Sequence, residues 1–67
     1  MVEFTARNLE KIVAVIGERD EKTRAELVQI LNRAGVKRIS SHGNLADLTS
    51  IVVKVPPDII IVGDDLD

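Results

Sequence analysis

Cysteine, tryptophan and tyrosine are all absent from this chain of 67 residues, and Phe4 is its only aromatic. Without cysteine there is no disulfide or thiolate metal site to reinforce a small core, and nothing argues for an oxidising compartment. Without aromatics there are no platforms on which bases could stack, and a formal net charge of -2 lacks the basic footprint of a nucleic-acid binder. The densest basic cluster, Arg33, Lys37 and Arg38, reads as a solvated helix end and strand edge. The longest apolar runs, Ile12 to Ile16 and Ile59 to Val62, fall far short of the ~20 residues that cross a bilayer, and MVEFTARNLEK has no signal-peptide core. The expectation is a soluble cytoplasmic domain with neither membrane nor nucleic-acid partner. A domain of this length buries only about 60% of the surface its unfolded chain exposes, so its core is marginal.

What is present is a set of short apolar segments that change period along the chain. KIVAVI, Lys11 to Ile16, suits a parallel strand buried on both faces. Asp20 to Ala34 reads as a helix, with Asp20 and Glu21 in the first turn where the helix dipole favours acids. Its apolar side is Leu27, Val28, Ile30, Leu31 and Ala34, and Gly35 is the stop. VKRISS, Val36 to Ser41, is a polar second strand whose Lys37 and Arg38 blunt a sheet edge. Asn44 can cap a second helix that begins at Leu45. The segment SIVVKV is β-branched, yet Leu45, Leu48, Ile51, Val52 and Val55 fall at helical spacing, so helix is expected up to Pro56-Pro57. Asp58 to Val62 is a third strand, apolar on both faces. The organisation expected is an N-terminal extension (1–10) followed by a βαβαβ unit (11–67). Its parallel sheet has strand order 2-1-3 and one helix on each face.

In such a sheet ligands sit beyond the carboxyl ends of the strands, at the switch point between the first and third. Gly17, Glu18, Arg19 and Asp20 are delivered there from the first strand, and Gly63, Asp64 and Asp65 from the third. The runs GERDEKTR, LVQILNRAGV, SHGNLADL and PPDIIIVGDD, in this order, resemble the N-terminal half of a response-regulator receiver domain. Arg24, Ala34-Gly35, Gly43 with Ala46 and Leu48, and Pro57-Asp58 leading into IIIV carry the likeness, which spans residues 10 to 67.

The resemblance implies a flavodoxin-like fold and a role in two-component signalling. It also implies where the chain departs from the family. Receivers place an acidic pair after the first strand, and here that pair falls on Glu18 and Arg19, so a cation replaces the second acid. The phospho-accepting aspartate of the family falls on Gly63, which has no nucleophile. The threonine and lysine that receivers bring from their fourth and fifth strands fall after Asp67. Aspartyl phosphorylation needs an acceptor, a divalent ion held by acids and a cation for the transferred group. The expectation is therefore a non-enzymatic, phosphorylation-incompetent receiver-like interaction module with no cofactor.

Two other readings compete. Glu18, Asp20 and Asp64, with Asp65, could collect a hard cation such as magnesium, or the acidic cleft could take another small ligand, as in a flavodoxin-like fragment. Alternatively a bulge after Val62 could bring Asp64 into the acceptor position of a phosphorelay receiver. Against both stands the plainer assignment of Asp20 and Glu21 to a helix N-terminus and of Asp64, Asp65 and Asp67 to solvated loop and tail. His42 is the sole histidine and is expected in a turn before Gly43, since no second base or nucleophile elbow accompanies it. Gly17 and Gly63 belong to no glycine-rich phosphate loop. Finally, Ile59, Ile60, Ile61 and Val62 read as a strand with neighbours on both sides, and the partner expected there is a second copy of the chain, joined edge to edge or by exchange of the strand at Pro56-Pro57.

Overall fold

The computed structural model describes residues 6–64 and Leu66. Its elements are α1 (Ala6–Lys11), β1 (Val13–Gly17), α2 (Glu21–Ala34), β2 (Arg38–His42), α3 (Leu45–Lys54) and β3 (Ile59–Val62). The strands form one parallel sheet in the order β2-β1-β3, with Val15 opposite Ser40 on one side and Ile60 on the other. Right-handed crossovers in this order put α2 on one face and α3 on the other, the α/β arrangement expected from the alternating pattern. No helix among the described residues is long and apolar enough to cross a membrane.

The core is centred on β1. Ala14, Val15 and Ile16 are buried, as is Gly17, while β2 and β3 are only partly covered. Side chains alternate along a strand, so Ala14 and Ile16 meet one helix layer and Val15 and Gly17 the other. Fully burying side chains such as Val15 and Ile16 stabilises by about 1.5–3 kcal/mol each. Over Gly17 the α3 layer comes close: a Cβ at that position would stand 2.7 Å from Leu48 Cδ2 and 2.7 Å from Leu66 Cδ2. Leu48, Val36 and the β1 residues make up the buried apolar set.

Both long helices start and stop within a residue of their expected ends: α2 begins at Glu21, with Asp20 outside it as the cap, and α3 stops at Lys54, before Val55. Asp20 caps α2, its Oδ2 accepting from the Thr23 N–H at 2.8 Å, and Asn44 caps α3 through Oδ1 and the Asp47 N–H at 2.8 Å. Helix α2 stops at Gly35, whose φ of 109° lies in the left-handed region. There the Gly35 N–H reaches the Asn32 carbonyl and the Val36 N–H the Leu31 carbonyl, which satisfies groups that the helix end leaves free. Pro56-Pro57 follows α3 directly, and Asp58 then ties the foot of β3 to β1: its N–H donates to Val13 O at 2.8 Å while its Oδ2 accepts from Val13 N–H at 2.9 Å.

Several expectations need correction. The N-terminal extension contains a helix, α1, and Lys11 is its last residue, so β1 begins at Val13. The anchor is tertiary, since Leu9 packs beside Gly35 at the foot of α2. β2 begins at Arg38, because Val36 is drawn into the core by the α2 cap, and it runs on to include His42, which is a strand residue. Ile30 and Ala34 are exposed, leaving Leu27, Val28 and Leu31 as the half-buried side of α2. β3 starts at Ile59 and is not covered on both faces: α2 and α3 both lie over β1 and β2, and Ile60 and Val62 remain half exposed.

Replacing Gly35 by Ala should destabilise the fold by about 1–2 kcal/mol, the penalty for a Cβ in the left-handed region. Urea unfolding with an unchanged slope and a lower midpoint would show it; a midpoint equal to that of the parent would mean that α2 ends in some other conformation.

Candidate functional site

The carboxyl ends of β1 and β3 and the turn after β2 meet on one rim of the sheet. Glu18 leaves β1 with its N–H donated to His42 O at 3.0 Å, which continues the ladder to β2. Across the other ladder the Gly63 N–H donates to Gly17 O at 2.8 Å, so Gly63 sits beside the Gly17-Glu18 turn. The Glu18 side chain folds back over this point: its Oε1 accepts from the Asp20 N–H at 3.1 Å, and its Oε2 occupies the space that a Cβ at position 63 would take. Glu18 and Gly63, distant in sequence, are thus in contact.

Arg24 reaches the same rim from α2. Its Nη1 donates to Glu18 O at 2.8 Å, and the guanidinium lies against Gly43, where a Cβ would approach Nη1 to 2.7 Å. One cation therefore straps the β1–α2 turn and leans on the β2–α3 turn. A Cβ at position 43 would press on the guanidinium and make it shift.

Of the three acids expected to collect a cation, Asp20 is committed to capping. Its Oδ2 accepts from both the Thr23 hydroxyl at 2.7 Å and the Thr23 N–H. Chiefly the Thr23 hydroxyl and then its N–H hold the Asp20 carboxyl below its ordinary value of 3.8; Arg24 helps slightly, and desolvation opposes. Glu18 is half-buried and directed at Asp20 N–H and Gly63, while Asp64 is exposed in the turn beyond β3. Asp65 and Asp67 lie outside the described residues. Among the described residues, no three His, Asp or Glu side chains form a group that could hold a metal ion. Arg19 is exposed next to Glu18.

His42 was missed as a half-buried strand residue. Its Nε2 is shut away from solvent and has no hydrogen-bond partner among the described residues; it lies in the α3 layer, beside a shallow cavity of about 200 Å³ shared with Asp47, Ser50, Ile51 and Lys54. Its position opposite Gly17 in the ladder explains the burial. A strict two-residue alternation carried from Arg38 through Ser40 to position 42 could have found it. A larger apolar groove of about 340 Å³ lies toward the other end of the sheet, against Val13, Val15, Ile51 and Val55, away from the acidic rim.

What this rim does is mostly structural: carboxylates, guanidinium and amide side chains are spent on the backbone of the turns. No family model, no curated protein and no solved structure matches the chain.

The Asp20 cap carries a pH signature. A carboxylate held below its ordinary value stabilises the folded state above the unfolded value near 3.8, and that contribution is lost as pH falls through the lower folded value. Asp20→Ala should lower the melting temperature at neutral pH, and the gap to the parent should close in acid below that window. Asp20→Asn, which also caps, should lose less at neutral pH. A gap that persists unchanged into strong acid would show that the carboxylate form of the cap contributes nothing.

Proposed function

We propose that this chain is a non-enzymatic, receiver-like interaction module of the two-component type, unable to accept a phosphoryl group on its β3 loop. The observation that carries this reading is the contact between Glu18 and Gly63. The resemblance puts the phospho-acceptor at position 63, and there the backbone has no side chain while the carboxylate of Glu18 fills the space a side chain would enter. An acceptor loop needs an oxygen directed into an open pocket, with acids ready to hold a divalent ion beside it. In this chain Asp20 is engaged by Thr23, and Arg19 stands where the family has a second acid. The α2 arginine, Arg24, keeps its place as a strap between turns, which supports retention of the scaffold without its chemistry. The partners of such a module are proteins, met through its surfaces.

Incubation with acetyl phosphate and magnesium should leave the mass of the intact chain unchanged. Gain of one phosphoryl group, abolished by Asp64→Asn, would overturn the reading in favour of a phosphorelay receiver that uses Asp64.

A companion experiment tests the alignment of the two loops. In the double variant Gly63→Asp, Arg19→Asp the Glu18 carboxylate must swing off position 63, and three acids then share the rim. Like charges at close range disfavour one another and favour a divalent cation. Magnesium should therefore raise the melting temperature of the double variant and leave that of the parent where it was. Equal responses from the two proteins would show that positions 19 and 63 do not face a common site.

A further inference from the structure

The outer edge of β3 differs in kind from that of β2. β2 exposes Arg38 and Ser41, whereas every residue of β3 is a branched aliphatic, with no charge, proline or bulge to discourage pairing. Ile60 is 50% exposed and Val62 51%, and the two side chains lie on the same face, the one that carries α3.

The ladder also fixes which peptide groups of β3 look outward. Gly63 N–H donates inward to Gly17 O, and successive residues of a strand direct their N–H and C=O to opposite edges. Ile59, Ile61 and Gly63 therefore bond to β1, and Ile60 and Val62 present their N–H and C=O away from the sheet. Asp58 closes this outer row, because its N–H is already taken by Val13 O. The row is two residues long, and its residues are the two whose apolar side chains are half exposed.

We propose that this edge is the joint between two copies of the chain, paired antiparallel about a two-fold axis that passes at Ile61. Residues directly opposite in an antiparallel pair share a face, so the axis must run through a residue and not between two. With Ile61 on the axis, Ile60 of each copy meets Val62 of the other. Both pairs are of the hydrogen-bonded kind, and together they satisfy four N–H and four C=O groups. With Ile60 on the axis, Val62 would instead meet Asp58, whose N–H and carboxylate are both held by Val13. The Ile61 register alone uses the whole outward row, and it joins the four half-exposed side chains into one apolar strip on the α3 face. The result is a six-stranded sheet whose two ends are the charged β2 edges. A strand that is its own complement in this way meets the requirement of a two-fold interface, the same patch on both copies. The joint does not depend on the state of the acidic rim, so it stands or falls apart from the receiver-like reading.

Two four-residue strands form a contact smaller than the ~1,200 Å² of a standard stable interface, so association should be visibly concentration dependent. Light scattering on the whole chain from about 10 μM to about 1 mM should show the mass climb from one chain toward two and stop there. In a sample mixing isotopically labelled and unlabelled chains, an intermolecular contact between the two Ile61 Hα atoms is expected, since they form the close, non-hydrogen-bonded pair on the axis. Val62→Pro deletes an outward N–H without removing a bond to β1, a substitution that an edge strand tolerates, and it should give a folded monomer throughout the series. Ile60→Lys should do the same; if that variant fails to fold, Val62→Pro and the Ile61 contact still decide. The proposal is overturned by a single-chain mass across the series, by a dimer that lacks the Ile61 contact, or by a dimer that survives Val62→Pro.

Discussion

Everything in this structure leans on one strand. β1 is the partner of both other strands and the floor for both long helices, and its residues from Ala14 to Gly17 are buried. It has to do two incompatible things: present aliphatic side chains to the layers above and below, and end in a residue small enough for Leu48 and Leu66 to close over the rim. The segment VAVIG meets both demands within five positions. α2 and α3 follow from it. Each offers β1 a narrow apolar side, and residues outside that side, such as Ile30 and Val53, remain exposed.

Beyond β1 the structure spends its polar groups on loop geometry. Asp20, Thr23 and Asn44 hold helix starts, Asp58 clamps the foot of β3, and Arg24 spans from α2 to two turns at once. The bond from Arg24 to Glu18 O joins a charged donor to a carbonyl and is part-buried, the class of hydrogen bond that contributes most, about 1.5–3 kcal/mol. The rim therefore gains definition from groups that, free, would have been candidates for chemistry. His42 is the exception: a half-buried imidazole whose Nε2 has no partner among the described residues.

Much of this arrangement was legible in the residues. Strand order, both long helices and their caps follow from apolar period and from Asp20, Asn44 and Gly35, because such signals act within a few residues of themselves. SIVVKV formed helix against its β-branched composition because Leu48 and Ile51 are spaced to reach β1, a case of packing overriding local preference. Three features were not legible, and each depends on contacts between distant parts of the chain. α1 is six residues long with no acid in its first turn, and Leu9 against Gly35 gives it a place to dock. The exposure of Ile60 and Val62 depends on how far the helix layers reach sideways, which no single strand encodes. The apposition of Glu18 and Gly63 requires the β1–β3 register, and the acid that fills the empty position comes from the other loop.

The bond between Asp58 and Val13 spans 45 residues of chain, and both ladders of the sheet are parallel, so neither can close through a tight hairpin. Contacts of such sequence separation slow folding, because the intervening chain must be ordered before the pairing rewards it. β1 precedes β3 by some 45 residues and carries no polar side chain, yet on one side its partner is this distant strand. Until β3 docks, VAVIG offers an open, uncharged edge to whatever strand is nearest. A sheet of β1 and β2 alone would therefore be the species most open to wrong pairing, for as long as β3 is undocked.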